Sequence, residues 1–391
     1  MLSIIIVAVA LFISGCNSEF FQPPFDDLLT KKPVDTSPDP VLPPPDPISE
    51  PIRGLPYHQT DFDFQNEGEG LVVSKVVDSA GNQKTPIIYK NKIAYVTSNH
   101  PGTGKDEIYL YDLEKKTNTR LTWRLDDRSQ FISSLRLGDD VVVWIEAGKA
   151  AYYHDIYIKY LNGNFPEKKI HSFKMEGGPG DGYLPALKIL KNYVFWAQPR
   201  EGETYFKPQI YFHDLVTQKT HEIVGLQSPH FQVENNWIIF LIEEQNKKTL
   251  KAYNLMTAEK FNLSSQDAQL STNFVIRNNK VLWKDFRFTK NSIYTYDLEK
   301  KDKGSEQLFL ILDTGSGGDN IVTFENNLLY LSWAYDVYVY DLISFKTYHS
   351  RCPSGHTVSK NVSVDGDQFT LSYNDTLIRD NDDIFHVKVM R

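Results

Sequence analysis

The feature that most restricts the fold is a six-residue pattern that returns down the whole chain. It stands first as Ile108-Tyr109-Leu110-Tyr111-Asp112-Leu113 and returns at Ile156–Leu161, Ile210–Leu215, Ile293–Leu298 and Val337–Leu342. Degenerate copies occupy Leu250–Leu255 and Ile384–Val389. The residues are mainly β-branched and aromatic, as strands prefer, and most copies close on an Asp or Asn that opens a turn. By difference of residue numbers, successive copies start 48, 54, 40, 43, 44 and 47 residues apart. A period of ~40–50 residues with strand patterning is that of a β-propeller blade.

A second strand recurs ahead of each copy. Polar turns lead into Ile93-Ala94-Tyr95, Val141-Val142-Val143-Trp144, Tyr193-Val194-Phe195-Trp196, Trp237-Ile238-Ile239-Phe240, Val281-Leu282-Trp283 and Leu328-Leu329-Tyr330. Trp144, Trp196 and Trp283 are expected to share one position with Tyr95, Phe240 and Tyr330. Shared register predicts packing between blades and not a sugar platform. Short apolar runs before each turn (Leu187–Leu190, Phe274–Ile276) and after each six-residue copy (Thr119–Thr122) complete four strands per unit. A blade cannot bury both faces alone, so units must stack and the ring must close. The final unit, from Lys360, supplies only three strands, while Leu71–Val77 is a strand without a blade. The expected fold is therefore all-β: a single seven-bladed propeller over 70–391, closed by the amino-terminal strand as the outermost strand of the last blade. The 48- and 54-residue spacings leave six or eight blades open.

Ahead of the propeller the composition changes. Leu2–Ile13 is a run of twelve residues, apolar but for Ser3, short of the ~20 needed to span a bilayer as a helix but suited to a secretory signal. It ends in Ile13-Ser14-Gly15-Cys16, which resembles a bacterial lipobox. That resemblance implies a signal peptide over 1–15 and a lipidated Cys16, although Met1-Leu2-Ser3 carries no Lys or Arg. Residues 23–56 hold eleven of the twenty prolines. Proline lacks the amide donor and favours extended backbone, so 16–69 is read as a lipidated, Pro-rich, disordered tether. Asn17 follows the cysteine and points to the outer membrane, with the periplasmic or surface face left open. Of two cysteines, Cys352 remains as a lone thiol. The net charge of −8, without a basic stripe, argues against nucleic acid.

The unit of turn, aliphatic–aromatic strand, acidic residue, I-Y-x-Y-D-L and x-x-L-T resembles the TolB-like propeller repeat. The acidic slot is filled here by Asp106-Glu107, Asp155 and Asp336. The resemblance covers nearly all of 86–391. It implies the fold but little about function, since TolB-like blades occur in periplasmic scaffolds, sugar-acting lyases and non-catalytic halves of peptidases. The chain departs from TolB in its lipid anchor, its extra blade and the lack of a separate α/β domain.

Motifs that suggest chemistry have simpler readings. Asp313-Thr314-Gly315-Ser316 imitates an aspartic-protease loop, but that chemistry needs two carboxylates sharing a proton, and no second copy exists. Gly102-Thr103-Gly104-Lys105 lacks the upstream glycine, the Ser/Thr after the lysine and the following helix of a phosphate loop. Asp380–Asp383 occupies a blade turn, and Cys352 with His356 lacks an orienting third group. No catalytic residue, metal ligand or cofactor is assigned.

Propellers bind at one mouth through the loops entering their innermost strands. Those loops carry Trp123, Arg124, Asp126, Arg128, Asp181, Tyr183, His230, Asp319, Arg351 and His356, a mixture of charge and aromatics suited to a protein, peptide or glycan. The leading expectation is a monomeric, non-catalytic, lipid-anchored envelope propeller that binds a protein or cell-wall component. The alternatives are a polysaccharide-acting enzyme resembling the oligogalacturonate-lyase propellers, which would need a convergent histidine cluster, and a surface-exposed adhesin or sensor.

Overall fold

The computed structural model describes residues 82–98, 105–123, 130–148, 153–163, 165–174, 186–200, 208–287, 292–300, 306–311, 320–333, 336–344, 346–351, 357–358, 362–374 and 382–390. It also describes the three strands β1 (Ile52–Arg53), β2 (Gln59–Asp63) and β3 (Leu71–Val77). Seven antiparallel sheets follow one another along the chain. The first strands of neighbouring sheets lie side by side around the ring, and the seventh sheet meets the first. We number the blades 1 to 7 from the sheet that begins at Asn82.

Two hairpins build each blade. Between the first and second strands the turn often needs left-handed backbone: Asn278 and Asn279 have φ of 51° and 59°, and Asn326 and Asn327 have 50° and 61°. Asparagine tolerates that region better than other residues with a Cβ, hence the Asn-rich turns. Between the third and fourth strands, the Asp of the six-residue pattern folds the turn onto itself. Asp112 Oδ1 accepts from the amides of Glu114 (3.1 Å) and Lys115 (2.9 Å), and Asn254 Oδ1 does the same for Met256 and Thr257. The last residue of the pattern then links the two hairpins. Its backbone N–H donates to the carbonyl of the second residue of the first turn: Leu113 to Asn91, Leu161 to Asp140, Leu215 to Asn192 and Leu255 to Asn236. Leu298 to Asn279, Leu342 to Asn327 and Val389 to Asp367 repeat it, all at 2.7–2.9 Å. The bond is present in every blade.

The core is divided into one apolar cluster per junction between blades. Trp144, Trp196 and Trp283 are fully buried in these junctions, as expected of packing groups. They stand opposite the tyrosine of the six-residue pattern: Trp144 faces Tyr157, Trp196 faces Tyr211, Trp283 faces Tyr294, and Tyr95 faces Tyr109. The rings of these pairs stack with centroids 5.6–6.2 Å apart. Tyr330 corrects the expected register. It pairs with Val339 and packs toward blade 7, while Leu331, opposite Tyr338, holds the tryptophan position. The turn at Asn326-Asn327 sets this frame, one residue away from that inferred from aromatic content.

Ring closure is as expected. β3 pairs antiparallel with Asp382–Val389, from Leu71 opposite Val389 to Val77 opposite Ile384, and forms the outer edge of blade 7. Blade 7 joins blade 1 through the Ile88 amide on Ser363 Oγ (3.1 Å), the Lys90 amide on Asp365, and Gln368 Nε2 on the Lys90 carbonyl (2.9 Å). Its innermost strand comes in two pieces, Thr357–Val358 and Ser363–Asp365.

The tether differs from expectation near its end. β1 runs parallel to Gln307–Ile311 on the outer edge of blade 5, and β2 runs parallel to Thr347–Arg351 on that of blade 6. The chain thus steps along the rim from blade 5 to 6 to 7 before entering blade 1. An open sheet edge offers backbone donors and acceptors, and Ile52–Arg53 and Gln59–Asp63 contain no proline to interrupt pairing.

Between blades 4 and 5, Arg287 joins three carboxylates: Asp285 (2.8 Å), Glu306 (2.5 Å) and Asp267 (3.0 Å). Its guanidinium also lies over the Tyr294 ring at 4.4 Å. Asp285 is 0% exposed, so its charge depends on this partner. Arg287→Met is expected to cost about 3–5 kcal/mol in urea unfolding, because it leaves buried carboxylates uncompensated. A loss below 1 kcal/mol would mean that solvent already screens the cluster. Val76 of β3 packs in the cluster between blades 7 and 1. A chain lacking residues 1–78 is therefore expected to melt on the order of 10 °C lower or fail to fold, while one lacking 1–50 keeps its Tm. Equal melting of the two truncations would show that closure does not need β3.

Candidate functional site

The loops from an outermost strand to the next blade's innermost strand share one face of the ring. Trp123 begins the loop from blade 1 to blade 2 and is 67% exposed, yet its base is fixed. The Thr122 hydroxyl accepts from the Ile108 amide (2.9 Å) and donates to Glu107 Oε2 (2.6 Å). Arg120 Nη2 bonds Glu107 Oε1 at 2.7 Å, and Arg120 Nε bonds the Thr122 carbonyl at 2.8 Å. The Arg120 guanidinium then lies 4.1 Å from the centre of the Trp123 ring. Glu107 is 0% exposed. A buried carboxylate thus orients an arginine, and the arginine braces an exposed indole. Such a surface can stack on a sugar ring, a proline or an aliphatic side chain.

His230 lies at another junction of the same face, where the chain enters the innermost strand of blade 4. It is exposed, and its amide donates to the buried Ser228 hydroxyl (3.1 Å). The Ser228 hydroxyl lies 2.6 Å from the carbonyls of His230 and Leu241 and donates to one of them. Trp123 and His230 are two junctions apart and form no joint site. Arg351 stands at the entry to its loop. It ends the outermost strand of blade 6, where its backbone pairs with Asp63 of β2. The six-residue pattern places that strand at the rim, and the loop begins only after it. Arg124, Asp126, Arg128, Asp181, Tyr183, Asp319 and His356 lie outside the described residues, as do Cys16 and Cys352. Among the described residues, no group of three His, Cys, Asp or Glu side chains is placed to hold a metal.

The buried and partly buried histidines are held within the blade framework. His171 shares a 2.8 Å hydrogen bond with Gln198 of blade 3, which also accepts from Trp196 Nε1. His213 bonds Thr220, and His386 bonds Gln368. Burial pushes His154, His171, His213 and His386 below the ordinary histidine value of 6.5.

Sequence reasoning missed two cations on innermost strands, Arg136 in blade 2 and Lys188 in blade 3. Each precedes the first residue of its hairpin turn, Asp139 or Lys191, by the same three positions. Counting back from the turns, and not forward from the six-residue pattern, would have aligned them.

No family model matches the chain, and no curated protein matches it. Solved structures do. The β-propeller domain of the trilobed protease from Pyrococcus furiosus aligns with TM-score 0.54 and 12% identity, over 79% of this chain and 95% of that one. A prolyl endopeptidase aligns with TM-score 0.55 and 13% identity, over 79% of this chain and 50% of that one. An oligogalacturonate lyase in complex with manganese aligns with TM-score 0.52 and 12% identity, over 82% and 90%. At these identities the likeness concerns the fold, a propeller of the kind found in peptidases and in this lyase.

The histidine burial has a pH consequence. A group whose folded value is depressed takes up a proton on unfolding. Its contribution is fully present above 6.5 and is lost as pH falls through 6.5 toward the folded value. Unfolding free energy should therefore drop between pH 7.5 and 5.5, by up to about 1.4 kcal/mol per pH unit for each fully differential proton. The double variant His171→Asn/His386→Asn should flatten that slope; an unchanged slope would assign the dependence to other groups.

Proposed function

We propose that this chain is a lipid-anchored, TolB-like envelope propeller that binds a protein or cell-wall component without catalysing a reaction. The observation that supports the reading is Trp123, an exposed indole braced by Arg120 and Glu107 on the face where propeller loops converge. A rigid aromatic loses little conformational entropy on contact, which makes it an effective anchor. The charged side chains of the ring fit the same reading. Glu107, Arg277, Glu325 and Arg287 hold strands and blades together. Cys16 supplies the anchor, and the Pro-rich segment after it sets the distance from the membrane.

The test is crosslinking in envelope fractions, followed by recovery of the propeller. Wild type is expected to retain a specific partner or glycan, Trp123→Ala to lose at least tenfold of it, and Cys16→Ala to move to the soluble fraction. Trp123→Ala should unfold within about 1 kcal/mol of wild type, since the ring is exposed. Equal recovery with and without the indole would remove Trp123 from the reading. Depolymerisation of a polysaccharide by the purified chain with added Mn²⁺ would replace it with an enzyme.

A further inference from the structure

Arg136 and Lys188 occupy the same position of adjacent innermost strands, the strands that line the axis of the ring. Arg136 pairs with Val143 and Lys188 with Phe195, each three positions before the first residue of its turn. The other blades hold Ile87, Gln232, Val275, Thr323 and Ser363 there. Only blades 2 and 3 bring a positive charge, and they bring it side by side.

Neither charge is neutralised among the described residues. Arg136 spends Nη1 on the carbonyl of its own neighbour Leu135 (2.6 Å), and among the described residues neither the rest of its donor fork nor Lys188 has a side-chain hydrogen bond or ion pair. The carboxylates nearest in register, Glu234, Glu325 and Asp365, lie two residues closer to the turns, ~6–7 Å along the strand, with Asp139 three residues on, and all have other partners. Glu234 and Glu325 pair with Arg277, Asp365 accepts from the Lys90 amide, and Asp139 pairs with Lys90. Both cations are half-buried. Burial, together with Arg136, pushes the Lys188 amine down to about 7, and burial pushes Arg136 down to about 10. Two like charges enclosed in protein repel one another and disfavour the empty site. An oxyanion between them would relieve both, and a guanidinium fork beside an ammonium matches a phosphate or a carboxylate.

We propose that Arg136 and Lys188 form an oxyanion-binding site on the propeller axis, filled by the phosphate or carboxylate group of a ligand slender enough to enter the ring. The site is independent of Trp123 and of the partner proposed for the loop face.

The experiment uses the full-length chain with inorganic phosphate and citrate as separate probes, at constant ionic strength against chloride. Either probe should raise the Tm of wild type and bind with an affinity that Lys188→Met and Arg136→Met each lower at least tenfold. Lys247→Met, at an exposed hairpin of blade 4, should bind as wild type does. Without anion, Lys188→Met should melt no lower than wild type, because it removes repulsion and breaks no ion pair. A preference for one probe distinguishes a phosphate ligand from a carboxylate one. A second measurement needs no variant: acetylation of Lys188 in wild type, followed by mass spectrometry, should slow at least fivefold with the bound probe. The proposal is overturned if neither anion shifts the Tm beyond chloride, if both variants bind as wild type does, or if neither probe protects Lys188.

Discussion

One hydrogen bond, repeated once per blade, organises the ring. The last residue of each six-residue pattern donates its amide to the carbonyl of the first turn, from Leu113 on Asn91 to Val389 on Asp367. Each such bond contributes only about 0.5–1.5 kcal/mol. Its larger effect is geometric, because it fixes the third strand against the first hairpin and so sets which residues face the next blade. The stacked pairs Trp144–Tyr157 and Trp196–Tyr211 are in register because of it. Even blade 7, where the pattern has decayed to Ile384–Val389, keeps the bond, since a backbone contact does not require the side chains that usually accompany it.

With the blades framed in this way, polar groups fall into separate classes. Some are structural, like Arg287 among its carboxylates or His171 between blades. Others lack a structural partner or rise clear of the surface. Trp123 is the clearest on the loop face, and Arg136 with Lys188 on the axis. The two places differ in kind. The loop face presents an aromatic anchor, whereas the innermost strands of blades 2 and 3 bring two cations together. A propeller suits both, because its rigidity rests on the junctions and leaves the loops and the axis free to vary.

The outer rim shows how the same physics acts on a segment without a hydrophobic pattern. β1 and β2 join the edges of blades 5 and 6 by backbone pairing, and β3 completes blade 7. Only β3 was legible as a strand, from its run of valines. The other two carry no alternation of apolar and polar residues. Their pairing depends on an edge strand being within reach, which is a property of the assembled ring.

The linear order of residues determined the blade and the strand that closes the ring and pointed to seven blades with six or eight left open, because these follow from a local pattern whose burial requires similar neighbours; the structure fixed the count at seven. It also set Trp123 apart as standing outside the repeat, and the structure showed it exposed. The tertiary structure decided the rest. It moved Tyr330 to a different junction, paired the backbone of Arg351 with Asp63 of β2, and set Arg136 beside Lys188 across a blade boundary. Those two cations are 52 positions apart by difference of residue numbers. The stacking of blade 3 on blade 2 makes them neighbours, and charge repulsion between blades has no counterpart in the order of residues along a strand.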